Sequence, residues 1–266
     1  MPLIKTYYKV HRVFPDPDYF YMENTSGNTT TFTVTKNGTP ASTDLSYSRD
    51  KATWTDIHSG GTISGVQSGE KVYFRSSTGL NKSTNDFFRV NSNYNFDVGG
   101  HIHTLVDYTS DDFSVLPEYC LYRFFWQSGV VHANIDFSGV TTIEHNAFDN
   151  TFLQSYYLIT PPDLSSVTSV SNQAFNSAFE SCSRLQTPVD LTNLTTVGPG
   201  GLYCMYNHCS ALNDAIAPNV SSWDVNKAYY WLNDTAATGV VRKPAGLEIP
   251  TDSVHGVPTG WTTENY

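Results

Sequence analysis

Two histidines separated by one residue are the first candidates for chemistry in this sequence. His101 and His103 stand in the segment Gly99-Gly-His-Ile-His. If this segment is a strand, both side chains face the same way and could ligate a metal ion. The spacing suggests no third ligand, so unligated histidines at the surface or in a turn are the favoured interpretation. Three acidic residues that follow could hold a hard cation or cap the start of the next unit, with capping favoured: Asp107, Asp111 and Asp112.

No catalytic arrangement stands out elsewhere. The sequence has no GxSxG, HExxH, P-loop or GxGxxG pattern. Carboxylates are numerous, but none form an evident acid–base couple. The sequence therefore predicts a protein that is not an enzyme, with no catalytic residues, no metal and no cofactor.

The cysteines suggest packing more than chemistry. No CxxC pair occurs, so a zinc site has little support. Cys182 and Cys209 are 27 residues apart. In adjacent strands they would lie about 5 Å from each other, which would permit a disulfide. A ladder of small buried thiols is the favoured alternative.

That interval of 27 residues is the strongest signal in the chain, because whole columns of apolar residues repeat with it. Leu158, Leu185 and Leu212 form one column, which Val131 extends backwards. The same step gives four further columns: Val140, Val167, Leu194; Ile143, Val170, Val197; Phe148, Phe175, Leu202; and Phe152, Phe179, Tyr206. A fixed period in the twenties is typical of a leucine-rich-repeat solenoid, whose stacked units bury a shared core.

Each repeat unit divides into three parts. Residues 163–170 predict an extended stretch, and residues 173–182 predict a helical turn or two with Phe175 and Phe179 on the core side. Residues 183–188 predict a short strand that Pro188 ends.

The first half reads as short antiparallel strands with turn signals such as Asn37-Gly38 and Ser68-Gly69 between them. The fold class expected is therefore mainly β with short helices: an antiparallel β-sandwich followed by a short solenoid of period 27. The expected divisions are an N-terminal arm (1–20), the sandwich (21–108), the repeats (109–240) and a C-terminal cap (241–266). The arm could pack on a neighbour or scaffold, or could be a disordered tail.

Residues Ser48 to Trp54 are similar to the Asp-box turn, in which an aspartate accepts hydrogen bonds from turn amides above a tryptophan. The loop is one residue shorter than that pattern and lacks its glycine. Asp boxes are structural turns, so the similarity does not argue for a glycosidase.

Composition restricts the partners. The chain has 25 Asp and Glu against 15 Lys and Arg and no basic run, which argues against nucleic acid. No stretch is long and apolar enough for membrane insertion. The N-terminus has no apolar signal region. Together with Met1, this favours export without a signal peptide, as for a virion component released by lysis; a mature or engineered form is the alternative.

The segments Phe179-Glu-Ser-Cys-Ser-Arg-Leu-Gln-Thr-Pro and Tyr206-Asn-His-Cys-Ser-Ala-Leu resemble BspA-like leucine-rich repeats. The junction around Asn95 to Asp107 and the closing Val257-Pro-Thr-Gly-Trp also resemble that family, in proteins of gut Bacteroidales and their phages. The first and last units lack the cysteine and carry Ser128 or Thr235, as atypical capping units would. The resemblance implies a surface or interaction protein outside the bacterial cell.

A binding face is expected where the residue after each column leucine points outwards. The candidate binding residues are this column and exposed side chains beside it: His132, Ile159, Gln186, Asn213, Tyr156, Tyr157, Arg184 and Tyr229. Aromatic rings here could stack on sugars. Tyr230 and Trp231 are expected to fill the end of the core.

The expected function is a structural and adhesive component of a bacteriophage virion, such as a head or tail fibre, at the virion surface. The N-terminal part would attach to other virion proteins, and the repeats would bind host-surface glycan or protein weakly. By analogy with fibres we expect a homo-oligomer. The alternatives are a bacterial cell-surface adhesin and, less favoured, a glycan-active enzyme.

Overall fold

The computed structural model describes residues 19–38, 45–57, 59–81, 83–109 and 113–266. These residues are mainly β, as expected. In chain order the strands are β1 (Tyr21–Glu23), β2 (Thr30–Asn37), β3 (Ser46–Ser48), β4 (Thr55–Asp56), β5 (Gly61–Val66), β6 (Lys71–Arg75), β7 (Phe87–Ser92), β8 (Phe96–His101), β9 (Val115–Leu116), β10 (Val130–Asp136), β11 (Thr142–Ile143), β12 (Ser169–Val170), β13 (Thr196–Val197), β14 (Asp214–Ile216), β15 (Gly239–Lys243) and β16 (Trp261–Asn265). One α-helix, α1, spans His103–Asp107, and a 3-10 helix spans Val225–Lys227.

The first half contains two sheets whose inner faces share apolar side chains. One has the order β10-β8-β1-β6-β3-β4, and the other is antiparallel with the order β5-β2-β7. Alternate residues of β2 are buried, as the period of two in a strand requires. Phe32 of β2 and Phe96 of β8 meet at 5.6 Å between ring centroids, which joins the two sheets through one core.

The expected N-terminal arm lies mostly outside the described residues, which begin at Tyr19. Phe20, assigned to that arm, is fully buried. Its ring packs near Phe74 of β6 and near Phe124 and Phe125 of the repeat region, with centroids 6.1 to 6.2 Å apart. The core at Phe20 is therefore built from both halves of the chain.

In the second half, residues 27 apart lie beside each other. The parallel strands β11, β12 and β13 pair Thr142 with Ser169 and Ser169 with Thr196, and β9 precedes them in the same sheet. Leu158, Leu185 and Leu212 are all fully buried. We call each 27-residue unit a coil. The rings of one column stack between neighbouring coils with centroids 4.9 to 5.7 Å apart: Phe125, Phe152, Phe179 and Tyr206. The expected columns therefore form one shared wall.

The helical turns expected in each unit are absent from residues 173–182, which form a run of turns. Gln173, Ser177 and Ser181 have positive φ, so every fourth residue leaves the right-handed helical region. Successive N–H groups donate alternately to a carbonyl of the same coil and to a carbonyl of the next coil. Ala178 donates to Phe175 in its own coil, whereas Phe179 donates to Met205 in the next. Phe175 and Phe179 are nevertheless both buried, because two successive turns return to the same side.

The strand expected at residues 183–188 does not form either. The regular parallel sheet lies instead on the side of β11, β12 and β13. Around the leucine column only isolated pairs occur in the middle coils, between His132 and Thr160 and between Asp136 and Asp163. Prolines supply the reason, because Pro161, Pro162 and Pro188 have no N–H to donate to a ladder.

The start of the stack differs from the later coils. Strand β10 pairs in parallel with β8, so the largest sheet extends across the expected boundary at residues 108 and 109. The pairing shifts register between Val130 and Ala133. Val130 is consequently buried where the period predicted Val131, which is only half-buried. At the other end β14, β15 and β16 form a parallel sheet.

Candidate functional site

A shallow groove of about 570 Å³ opens where the repeats join the N-terminal sheets. It lies beside the pairing of β8 with β10, the loop between β7 and β8, and the turn that precedes Leu158. Its lining residues are Thr25, Ser26, Asn93, Tyr94, Asn95, Asp97, Val131, His132 and Tyr157. Aromatic, amide, imidazole and carboxylate groups thus meet in one concave surface.

Two tyrosines of the groove are exposed. Tyr94 is 43% exposed and Tyr157 is 45% exposed, and the adjacent Tyr156 is 49% exposed. The turn carrying Tyr156 and Tyr157 is held by Leu158, whose N–H donates to Ser155 at 3.0 Å. Ser155 is itself buried and donates through Oγ to the carbonyl of Phe125 at 2.6 Å. The exposed rings therefore stand on a fixed backbone.

Close backbone contact positions Tyr94. A Cβ at Gly129 would lie 3.0 Å from the carbonyl oxygen of Tyr94, so a side chain there would push this loop away from the first coil. The N–H of Phe96 donates to Gly129 at 3.1 Å, and the N–H of Tyr94 donates to Ser92 Oγ at 3.3 Å. The glycine allows the loop and the coil to meet.

The polar side chains of the groove are held by hydrogen bonds of ordinary length. The N–H of His132 donates to Asp97 Oδ1 at 3.1 Å, and His132 Nδ1 lies 3.0 Å from Thr160 Oγ1. Burial raises the pKa of Asp97, while the neighbouring His132 opposes that shift. Asn93 Oδ1 accepts from the N–H of Thr31 at 2.8 Å. This orients the amide and leaves its NH₂ group as a donor for a ligand.

Such a site suits binding to sugars. Tyrosine rings offer flat apolar faces with little side-chain entropy to lose, while fixed amide, imidazole and carboxylate groups can bond hydroxyls. The groove is open, so a ligand would keep much of its surface in water.

The structure brings only His132 and Tyr157 of the expected binding residues into this groove, with Tyr156 beside them. Ile159 is half-buried and its N–H donates to Val131. Arg184, Gln186 and Asn213 are exposed on later coils. The expectation of one continuous sheet face through these residues is wrong, because the strand that would carry it is interrupted.

Tyr229 lies in the last coil and is 38% exposed. Its ring contacts Tyr230 at 4.3 Å and His255 at 5.6 Å between centroids. Trp231 is fully buried, which confirms its expected place in the core, whereas Tyr230 is only half-buried and does not fill the core as expected.

Sequence reasoning missed Tyr94, Asp97, Asn93 and Asn95. The run Asn91-Ser-Asn-Tyr-Asn95 is a turn signal between two strands and marks a surface loop. Its partner surface depends on the pairing of β8 with β10, which no local pattern encodes.

The two histidines do lie together, although His103 begins α1 and is not in a strand. Their Nδ1 atoms are 2.6 Å apart, and His101 Nε2 is 3.8 Å from Asp136. Among the described residues no group of three or more His, Cys, Asp or Glu could hold a metal ion.

Asp107 Oδ1 accepts from the N–H of Thr109 at 2.9 Å, whereas Asp111 and Asp112 lie outside the described residues.

The cysteines form the ladder of buried thiols. Cys182 and Cys209 are free. Cys182 Sγ donates to the carbonyl of Phe152 at 3.2 Å, and Cys209 Sγ donates to that of Phe179 at 3.0 Å. Burial raises the pKa of both thiols, so they are poor nucleophiles.

The turn that resembles an Asp box has the expected hydrogen bonds. Asp50 Oδ1 accepts from the N–H groups of Ala52 at 2.9 Å and Thr53 at 2.7 Å. The hydrogen bonds from the N–H groups of Thr53 and Ala52, together with one from Ser48 Oγ, lower the pKa of Asp50 to about 2. The Trp54 ring packs against Tyr19 at 4.8 Å between centroids. The turn is structural and contributes nothing to the groove.

In the part of the chain that the structure describes, no helix has the length and apolar character needed to cross a membrane. A scan against protein-family models, a search of curated proteins and a search of solved structures each find no match.

Proposed function

We propose that this chain is a non-catalytic binding protein that holds a glycan weakly in the groove between Tyr94 and Tyr157. The exposure of these two tyrosines around fixed polar groups is the observation that carries the proposal. Stacking on each ring contributes on the order of 1 kcal/mol. A single groove of this kind therefore binds weakly, and useful affinity comes from several copies acting together.

The proposed architecture is a β-sandwich followed by a leucine-rich-repeat solenoid of the BspA-like kind. The contact of Phe32 with Phe96 between two sheets supports the sandwich. The pairing of residues 27 apart supports the solenoid, as does the column of stacked rings. In this arrangement the coils act as a rigid extension that holds the turn of Tyr157 in place.

The proposed setting is the surface of a bacteriophage virion, where the chain is an oligomeric fibre-type component attached through its N-terminal part. The BspA-like resemblance supports this setting, as does the sparsely charged, acidic composition. Immunogold labelling of intact particles tests it. Gold on the particles agrees with the proposal, whereas gold on the bacterial surface alone favours an adhesin.

The test of the groove is a calorimetric titration of the full chain with host capsular polysaccharide. Tyr157→Ala should weaken binding about fivefold to tenfold, since one stacking surface is lost. Tyr229→Ala removes a ring of similar exposure in the last coil and should leave binding unchanged. Equal losses in the two variants, or no binding by the unaltered chain, would contradict the proposal.

A further inference from the structure

Two arginines from different parts of the chain converge on one tryptophan. Arg89 extends from β7, and Arg123 extends from the first run of turns. Their guanidinium carbons lie 4.8 and 4.9 Å from the centroid of the Trp126 ring. Cation–π contact of this kind fixes the planes of both guanidinium groups.

This pair of cations has little compensating charge. No carboxylate among the described residues forms an ion pair with Arg89 or Arg123. The Nε atoms of both arginines and Nε1 of Trp126 are buried and have no hydrogen-bond partner within the described ranges. Arg89 Nη2 donates weakly to the carbonyl oxygen of Gln127 at 3.5 Å and to Gln127 Oε1 at 3.4 Å. The two arginines therefore form a local positive charge on a chain whose net charge is −10.

The carboxyl group of Asp149, which interacts electrostatically with Arg123, is poorly suited to neutralise the pair. Asp149 is 5% exposed, and its burial raises its pKa to about 7. Its Oδ1 accepts from the amide groups of Asn150 and Asn176. Near neutral pH Asp149 is therefore only partly ionised, and the guanidinium groups keep a capacity to bind an anion.

The arginine pair lies on the same side of β7 as the groove. Within β7, residues 89 and 91 alternate with the buried Phe88 and Val90, and Asn93 follows directly after the end of the strand. Asn91 lies between the two sites and donates through Nδ2 to Gln127 at 3.1 Å. Asn93 lines the groove. The five residues from Arg89 to Asn93 span roughly 13 Å, because each of the four steps between them advances about 3.3 Å, and one oligosaccharide can cover that distance.

We propose that Arg89 and Arg123 form an anion subsite, and that the ligand of the groove is an acidic glycan carrying a carboxylate or sulfate group. This inference rests on the proposed glycan binding. Guanidinium groups held in fixed planes present paired donors that match the two oxygens of such a group. The neutral sugars of the same chain would occupy the groove beside Tyr94 and Tyr157.

The test compares three ligands by titration with the full chain: a uronic-acid oligosaccharide, its carboxyl-reduced form and a sulfated oligosaccharide. The unaltered chain should bind at least one acidic ligand about tenfold more tightly than the neutral form. Arg123→Gln and Arg89→Gln should abolish this preference. Arg123→Lys keeps the charge and the fold but loses the fork of donors, so it should retain only part of the preference.

Arg184→Gln is the matched control, since it removes the same charge from an exposed arginine on a later coil. It should leave the preference intact. Equal binding of acidic and neutral ligands, or an equal loss in Arg184→Gln, would overturn the anion subsite. If the neutral ligand still binds and Tyr157→Ala weakens it, the groove stands and only the subsite fails.

Discussion

The carboxyl group of Asp149 shows how a single side chain couples the coils to pH. It is buried in the first full coil, and amides from its own coil and the next coil donate to it. Desolvation outweighs the hydrogen bonds from the two side-chain amide groups and the attraction of Arg123, and it raises the pKa of Asp149 to about 7. The unfolded value is about 3.9.

Because the folded pKa lies above the unfolded one, the folded chain binds the additional proton between about pH 4 and 7. The stabilisation from this group is complete below the unfolded pKa and is lost as pH rises through the folded pKa. Asp149→Asn should therefore be more stable than the unaltered chain at pH 8, by at most about 4 kcal/mol. Both chains should be similar near pH 4.

Urea denaturation at pH 4, 6 and 8 measures this difference. The control is Asp163→Asn, which removes an exposed carboxylate from the adjoining coil. The difference in unfolding free energy between Asp163→Asn and the unaltered chain should change little from pH 4 to pH 8. A stability difference for Asp149→Asn that does not grow with pH would show that this carboxyl is not held neutral.

At the scale of elements, the coils combine two kinds of hydrogen bonding within one run of turns. Between residues 173 and 182, alternate N–H groups close turns within the coil or reach the next coil. The residues with positive φ recur 27 residues apart in neighbouring coils, as at Asn150 and Ser177. These bonds fix the spacing of the coils, while the apolar columns supply the burial that holds them together.

Leu185→Ala tests the apolar column. Leu185 is fully buried, so the substitution should destabilise the chain by about 2–5 kcal/mol through lost burial and a cavity. Ser183→Ala, two residues earlier and only partly buried, should change stability by less than about 0.5 kcal/mol. Chemical denaturation provides both values, and similar losses would place Leu185 outside the core.

The period and the identity of the core columns could be predicted from the sequence, because apolar residues that recur every 27 positions are buried in each coil after the register shift at Val130. The backbone conformation of the segments between the core columns could not be predicted. Phe175 and Phe179 have helical spacing, but turns with a left-handed residue at every fourth position bury the same pair. Pro188 predicts the end of a strand, whereas in the structure Pro161 and Pro188 leave the leucine column without a regular ladder.

The candidate site was predicted only in part, for a related reason. Exposure of Tyr156 and Tyr157 follows from their place before a buried leucine, which is a local property. Their neighbours Tyr94 and Asp97 come from the loop before β8 and from β8 itself, and they reach the groove only because β10 joins β8 in parallel. That contact is between segments distant in sequence and has no local signal.

At the scale of the whole molecule, this parallel pairing makes the junction a continuous structure. The largest sheet includes strands from both halves, and one apolar core extends from Phe20 to Trp261. The groove is placed at the junction, and its walls come from both sides. We therefore expect the groove to be preformed, so that a ligand binds without ordering a loop.

Hydrogen-exchange protection across the full chain, with and without host acidic polysaccharide, tests the account most directly. We predict that added polysaccharide slows exchange at residues 89–97, 123–132 and 156–157, and leaves the last coil around Tyr229 unchanged. Protection spread along the later coils, or confined to Arg184, Gln186, Asn213 and Tyr229, would contradict binding at the junction.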